Sequence, residues 1–297
     1  MATLIQKLLG QQKHPSAAEG DSHALPDDQP IHADQSASSS TLNWNFGADQ
    51  AVGHHRDHNE DALYTFGTHL AYQDIQVFAG LFVVADGMGG HANGELASSL
   101  AVRTMAELVV GALFDLFITN QPSPDPDKFK QLLLASLQES NRQVKKQVPG
   151  GGTTLTASLI YKDQLMVAHV GDSRAYLVQP DGAVQALTRD HSFVRQLVEI
   201  GQITDEEAAV HPQRNILSMA LGQWEPLEPD YVVRPLPARS HVLLCSDGLW
   251  GVVPEKKLAQ IILSSASPQK ACQKLIEAAN QAGGPDNITA IVISIPE

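Results

Sequence analysis

Residues 80–85 read Gly-Leu-Phe-Val-Val-Ala, an apolar run that ends at Asp86 and Gly87. A run this short, closed by a turn signal, predicts a core strand that delivers a carboxylate at its end. Apolar runs at 241–246 and 288–295 predict two more strands, the first followed by Asp247-Gly248 and the second preceded by Asp286-Asn287. Strands are also predicted over 153–160, 164–170 and 174–178, joined by Tyr161-Lys-Asp163 and Gly171-Asp-Ser173. Links that short favour antiparallel neighbours. A further strand, 183–187, follows the turn Pro180-Asp-Gly182.

Helical spacing takes over at 95–110 and 127–148, and in the second segment Phe129, Leu132, Leu133, Leu137 and Val144 share one face. The Pro-rich stretch 121–126 separates the two. Helices are predicted again at 254–263 and 268–281, the latter with Ser267 as N-cap, Pro268 at its first position and Gly283 beyond its end. Residues 192–224 are more polar and hold two short helices, Gly201 closing the first and Thr204 with Glu207 capping the second. An insertion between core segments predicts a flap over a site. Runs of strands separated by helix pairs point to an α+β fold rather than a doubly wound one.

The N-terminal stretch departs from this texture. Residues 1–42 are rich in Gln, Ser, Ala, Asp and His, with no apolar pattern after Leu9, and are expected to form a disordered tail; a short helix over 3–11 is the alternative. The rest, 43–297, is expected to fold as one domain, with the flap at about 192–224. Hydrophobic residues make up 43% of the 297, and no window reaches the ~18 uninterrupted apolar residues of a membrane helix. The start also lacks a basic region followed by an apolar stretch and a cleavage site, so a cytoplasmic location without membrane attachment is expected. Cys245 and Cys272 fall in a predicted strand and helix and read as unpaired core thiols. A net charge of −13 without any Lys/Arg run argues against a nucleic-acid partner.

Charge becomes informative through position. Asp86, Asp172, Asp247 and Asp286 all stand at or beside the end of a predicted apolar strand, next to a glycine or turn. One Asp-Gly pair is an ordinary turn; four acids with strand-pinned backbones can face one cleft. Carboxylates gathered there raise each other's pKa unless cations neutralise them. An all-oxygen donor set suits magnesium or manganese rather than zinc. Arg56-Asp-His-Asn59-Glu60-Asp61 adds two acids and an arginine able to grip phosphate oxygens. Adjacent His54 and His55 with His58 invite a zinc reading, which the carboxylate set disfavours.

Seven ordered segments carry a resemblance to the metal-dependent, PPM-type (type 2C) protein serine/threonine phosphatases, in particular the bacterial single-domain members. They are Arg56-Asp-His-Asn-Glu-Asp61, Val84-Ala-Asp-Gly-Met-Gly-Gly-His91, Gly152-Thr-Thr154, Val170-Gly-Asp-Ser-Arg-Ala-Tyr176, Leu187-Thr-Arg-Asp-His-Ser192, Leu244-Cys-Ser-Asp-Gly-Leu-Trp250 and Asp286-Asn-Ile-Thr-Ala290, spread over about 45–295. The resemblance implies an αββα sandwich of two mainly antiparallel sheets flanked by helix pairs, with the metal site at one end between the sheets. It implies hydrolysis of phosphoserine and phosphothreonine in proteins by in-line attack of a water bridging two Mn2+ or Mg2+ ions. Asp86 would bridge the ions, Asp247 and Asp286 would complete one, and the Gly87 carbonyl would serve the other. Glu60 and Asp61 would act largely through metal-bound waters, Asp172 with Asp247 would hold a looser third ion, and Arg56 would grip the substrate phosphate. The implied partners are phosphoproteins opposed to a serine/threonine kinase, met by a monomer.

One departure stands out. Animal members of that family place a general-acid histidine directly after the Asp-Gly, where this chain has Met88, whose thioether carries no proton. His91 is near in sequence but reads equally as a capping or surface residue; His191 and Thr188 read as buttresses of the sheet, and Phe82, Trp224 and Trp250 as packing. Arg195, Arg214 and Asn215 border the flap. Two rivals use the same features: a phosphoprotein-binding relative with dead chemistry, which retention of Asp86 and Asp247 disfavours, and a two-metal nuclease, which the acidic charge disfavours.

Overall fold

The computed structural model describes residues 44–72, 75–89, 92–118 and 126–297. The expected tail, the Pro-rich stretch up to residue 125 and His91 lie outside the described residues. In chain order the strands are β1 (Asn45–Ala51), β2 (Ala62–Tyr72), β3 (Ile75–Ala85), β4 (Gly87–Met88), β5 (Gly152–Thr153), β6 (Leu155–Tyr161), β7 (Gln164–Val170), β8 (Arg174–Val178), β9 (Val184–Ala186), β10 (Asp230–Pro235), β11 (His241–Cys245) and β12 (Ile288–Ser294). The helices are α1 (Ala92–Ile118), α2 (Pro126–Gln147), α3 (Phe193–Glu199), α4 (Asp205–Ala209), α5 (Asp247–Trp250), α6 (Glu255–Leu263) and α7 (Pro268–Gln281).

Alternation along the strands turns this list into layers. In β8, β11 and β12 the residues Ala175, Leu177, Val242, Leu244, Ile291 and Ile293 face one way, against Phe78, Phe82, Val84, Ile160, Leu165 and Val167 of the other sheet. Their neighbours Tyr176, Val178, Leu243, Cys245, Ala290 and Val292 face the opposite way, onto Leu258, Ile262, Cys272, Leu275 and Ile276 of α6 and α7. A period of two thus buries both faces of each strand, one against a sheet and one against helices. The first sheet runs β1-β12-β11-β8-β9 and the second β10-β7-β6-β3-β2. Every pairing is antiparallel. On the far side of the second sheet, α1 packs on α2 and on β2 and β3, completing an αββα sandwich.

Register decides where the strands end together. Ala62 pairs with Ala85, Leu155 with Val170, Cys245 with both Arg174 and Ala290, and Ala51 with Ile288. Asp86, Asp172, Asp247, Asp286, Glu60 and Asp61 each lie within two residues of one of those partners, so all six acids leave the sandwich at one end.

The expectation that the strands over 164–170 and 174–178 are neighbours is corrected by the pairing. β6 and β7 are antiparallel neighbours, but β7 and β8 belong to different sheets. Gly171-Asp-Ser173 steps across the sandwich, with Gly171 at φ +107° in a region that side chains rarely adopt. That step is what brings Asp172 between the sheets. β1, β2 and β10 were not predicted, and α1 runs to Ile118 rather than 110 because Ala112, Leu113 and Leu116 continue its buried face. The caps of the flap helices and of α7 match the predicted residues, Thr204 with Glu207 and Ser267 with Pro268.

Phe82 is fully buried between the sheets and meets Phe46 edge-on, ring centroids 5.1 Å apart. Phe82→Ala is expected to lower the free energy of unfolding by about 3–5 kcal/mol, read from urea denaturation.

Candidate active site

The acids stand on a floor of neutral donors. The Asp86 backbone is pinned by Gly152-Thr-Thr154: its N–H donates to Thr154 Oγ1 at 2.9 Å, and its carbonyl accepts from the Thr154 N–H and Thr153 Oγ1, both at 2.9 Å. Glu60 is fixed at both ends of its peptide, its N–H donating to Asn287 Oδ1 at 2.8 Å and its carbonyl accepting from Ser98 Oγ at 2.6 Å. Asp61 Oδ2 accepts from Ser246 Oγ at 2.7 Å and Thr289 Oγ1 at 2.6 Å. Gly87 sits where a Cβ would stand 2.3 Å from the Gly94 carbonyl oxygen and 2.5 Å from that of Glu60, so only glycine lets β4 pass this close.

A cavity of about 410 Å³ opens above this floor, lined by Glu60, Asp86, Asp172, Asp247 and Asp286, by Gly87 and Met88, and by Arg56. Ile216, Leu217 and Trp224 of the flap region wall its other side. A larger cleft of about 800 Å³ lies between the flap and β9, and Arg56, Asp172, Asn215, Asp247 and Asp286 line both spaces. Arg195 and Arg214 line the larger one. Asp61 does not reach either cavity; it lies beneath, buried behind the other acids. Arg56 lies at the rim, with Nη2 2.8 Å from Asp286 Oδ2 and about half its side chain exposed.

Burial and mutual repulsion dominate the electrostatics. Asp86 and Asp172 are held well above the usual carboxylate range, first by burial and then by the neighbouring acids. Burial also pushes Asp247 up to about 6, with repulsion from Asp286 adding to it and a hydrogen bond with Asp86 opposing it. Asp61 is pushed up to about 7 by burial, against the pull of its two hydroxyl partners. Asp61 Oδ1 and Asp247 Oδ1 are buried with no hydrogen-bond partner among the described residues.

These observations agree with comparison to known proteins. Residues 50–288 match the family described as Protein phosphatase 2C. The chain belongs to that family. This phosphatase is 37% identical over 247 residues to the serine/threonine phosphatase stp of Listeria welshimeri, an alignment covering 81% of this chain and 92% of the relative. The crystal structure of the serine/threonine phosphatase PstP/Ppp of Mycobacterium tuberculosis superposes with a TM-score of 0.71 at 34% identity, covering 86% of this chain and 99% of that one. A PstP catalytic domain in complex with two manganese ions superposes at 0.68 with 33% identity, covering 86% and 100%. The phosphatase is therefore an α+β enzyme of the 2C type with a dependence on divalent metal.

The residues here suit such ions in chemistry and charge. Every charged donor is a carboxylate, the carboxyls are under-neutralised, and two buried carboxylate oxygens have no partner. The side chains are not drawn around a point: among the described residues no three His, Cys, Asp or Glu stand as a finished metal cage. His54, His55 and His58 form no such cage either, and His58 Nε2 lies 3.0 Å from Glu60 Oε1.

Several contributors had no assigned role in the sequence. Thr153, Thr154, Ser246 and Asn287 sit inside the quoted motifs, yet only their hydrogen bonds reveal them as supports, and Ser98 gives no sequence signal. Trp224, read as packing, lines the smaller cavity. His191 and Thr188 do buttress the sheet, accepting from the Gly171 N–H at 3.2 Å and the Ala175 N–H at 3.1 Å.

The raised carboxyls give a signed pH prediction. A carboxyl with a raised folded-state pKa binds more protons folded than unfolded, so stability falls as pH rises from about 4 through the folded values of about 6 and 7 for Asp247 and Asp61. Manganese removes that repulsion. The lowered values of the buried His169 and His191 act in the opposite sense, and the comparison with and without manganese at each pH isolates the carboxylates from them. The manganese-induced rise in Tm is therefore expected to be small at pH 5.5 and several degrees larger at pH 7.5, measured by scanning calorimetry.

Proposed function

We propose that this phosphatase hydrolyses phosphoserine and phosphothreonine in proteins, using two Mn2+ or Mg2+ ions held among Asp86, Asp247, Asp286 and the Gly87 carbonyl. The observation that carries this reading is the single cavity lined by all four together with Glu60, Asp172 and Arg56. In this reading Asp86, which lines the cavity beside Asp247 and Asp286, would serve both ions. Glu60 would orient solvent around them, Asp61 would add negative charge from beneath the cavity, and Asp172 with Asp247 would offer a further, looser cation position. When bound, the ions supply an activated water for attack on phosphorus and neutralise charge on the phosphoryl oxygens.

What the chain itself contributes is placement. Arg56 uses one edge of its fork on Asp286 and keeps the exposed remainder for two oxygens of the substrate phosphate. Met88 lines the cavity and its thioether carries no proton, so the leaving alcohol takes its proton from another group. The flap region walls one side of the cavity with Ile216, Leu217 and Trp224, apolar groups that would limit solvent around a bound phosphate. Residues 43–297 form the catalytic domain in this reading, with 1–42 outside it. The named relatives support substrates that are phosphoproteins, and the reading extends to targets of a serine/threonine kinase met by a cytoplasmic monomer. Among the described residues no helix is long and apolar enough to cross a membrane.

Phosphate release from a phosphothreonine peptide tests the reading. Activity is expected with manganese and absent in EDTA. Asp86→Asn and Asp247→Asn are each expected to lower kcat by about a thousandfold, or about 4 kcal/mol in the barrier. Turnover that persists in EDTA overturns the mechanism. Arg56→Ala is expected chiefly to raise KM, because it removes a contact made to the phosphate in the ground state as well.

A further inference from the structure

Asp172 lies on the step from β7 to β8, and β8 pairs with β11, which Asp247 follows; one side chain also ties the two acids' backbones directly. Trp250 closes α5, the short helix that Asp247 opens, and its indole Nε1–H donates to the Asp172 carbonyl at 2.9 Å. The indole is itself held. The Arg174 guanidinium carbon lies 3.6 Å from the centre of its ring, a cation–π contact. Arg174 in turn is clamped by a two-pronged ion pair with Asp190 at 2.8 and 2.7 Å and a 2.9 Å hydrogen bond to Tyr176 Oη. Arg174 and Asp190 are largely buried, with side-chain exposures of 24% and 12%, so this frame is rigid compared with a surface pair.

The residues beside Asp172 are held from elsewhere, Gly171 by His191 and Ser173 by Thr154 and Thr156, whereas Trp250 bonds Asp172 itself to the helix that Asp247 opens. The Asp172 loop crosses between the sheets, where its carboxyl and that of Asp247 repel each other. Asp247 Oδ1 is buried with no partner among the described residues, and both carboxylates line both cavities. We propose that Trp250, steadied by Arg174, is a positioning residue that sets the separation of Asp172 from Asp247 and so the affinity of a divalent cation shared by that pair. The inference rests on the two-metal reading above and goes beyond it by assigning the weaker, third position its own support. Asp86, Asp286 and Gly87 are fixed by other contacts, and Asp247 by the Gly251 N–H on its carbonyl at 2.8 Å and by Ser246, which precedes it, bonded to Thr289, so the tight pair of ions does not depend on the Trp250 indole N–H.

Calorimetric titration of the metal-free full chain with MnCl2 tests this. The wild type is expected to show two tight sites and one weaker site. Trp250→Phe keeps an aromatic face for Arg174 but removes the N–H; it is expected to weaken the third site about tenfold, the low end for an outer support of a metal ligand, and to leave the tight pair within about twofold. Arg174→Lys, which loses the flat stack and the two-pronged pairing, is expected to act on the same site and decides the matter should Trp250→Phe prove unfolded by circular dichroism. In turnover, the third-site loss is expected as a raised manganese requirement, with KM for the peptide unchanged. An unchanged third site, a uniform loss across all sites, or a wild type that binds only two ions overturns the inference and leaves the two-metal reading standing. A wild type that binds no manganese and releases no phosphate removes both.

Discussion

Mutual repulsion among buried carboxylates is the constraint around which this end of the sandwich is built. Two unit charges about 4 Å apart repel by about 4 kcal/mol at an effective dielectric near 20, and a domain's whole stability is about 5–15 kcal/mol. Asp61, Asp86, Asp172, Asp247 and Asp286 act on one another at this end. A fold that keeps such a set must take its stability from elsewhere and fix the acids mechanically. The two stacked sheets do so, because Asp86, Asp172, Asp247 and Asp286 each adjoin a strand buried in the core, while Asp61, beside the half-buried edge strand β2, is held by Ser246 and Thr289.

The supports are chosen with corresponding care. Neutral donors hold the back of the site: Thr153 and Thr154 on the Asp86 backbone, Ser246 and Thr289 on Asp61, Asn287 and Ser98 on Glu60. Hydroxyls and amides fix geometry without cancelling charge, so the negative potential at the cavity stays available to cations. A lysine or arginine at these positions would stabilise the metal-free fold and compete with the metal. Among the described residues Arg56 is the one arginine or lysine ion-paired to an acid of the cavity, and it sits at the rim, half exposed, where it can exchange partners.

How much of this was legible in the sequence follows from what kind of contact each feature needs. The core strands and the acids at their ends were readable because burial on both faces leaves unbroken apolar runs, and a carboxylate beside glycine interrupts them abruptly. β2 was not, since Ala62–Tyr72 alternates with polar and small residues at the sheet edge, and β1 and β10 carry mixed, half-exposed patterns. The link between β7 and β8 looked like a hairpin by its length alone; only the stacking of two sheets distinguishes a hairpin from a step between layers. The acids were recognisable one by one, while their supports were not, because a serine or threonine that donates to a side chain more than a hundred residues away leaves no local signature.

Arg174 shows where the neutral-donor rule stops applying. It is a buried cation within the lining of the larger cleft, close enough to Asp172 to oppose the rise in its pKa. Yet its fork is committed to Asp190, its face to Trp250 and its remaining edge to Tyr176, so its charge is spent on a frame rather than on the metal-binding acids. A buried pair of this sort contributes little net stability once desolvation is counted, but breaking it leaves a charge stranded in the interior. Its value is therefore geometric: it helps to hold the loop that steps from one sheet to the other, and the residue it steadies, through Trp250, is the acid on that step, between β7 of the second sheet and β8 of the first. Neutral donors suffice where an acid hangs from its own strand, and a charged clamp is used where two layers must be held in register.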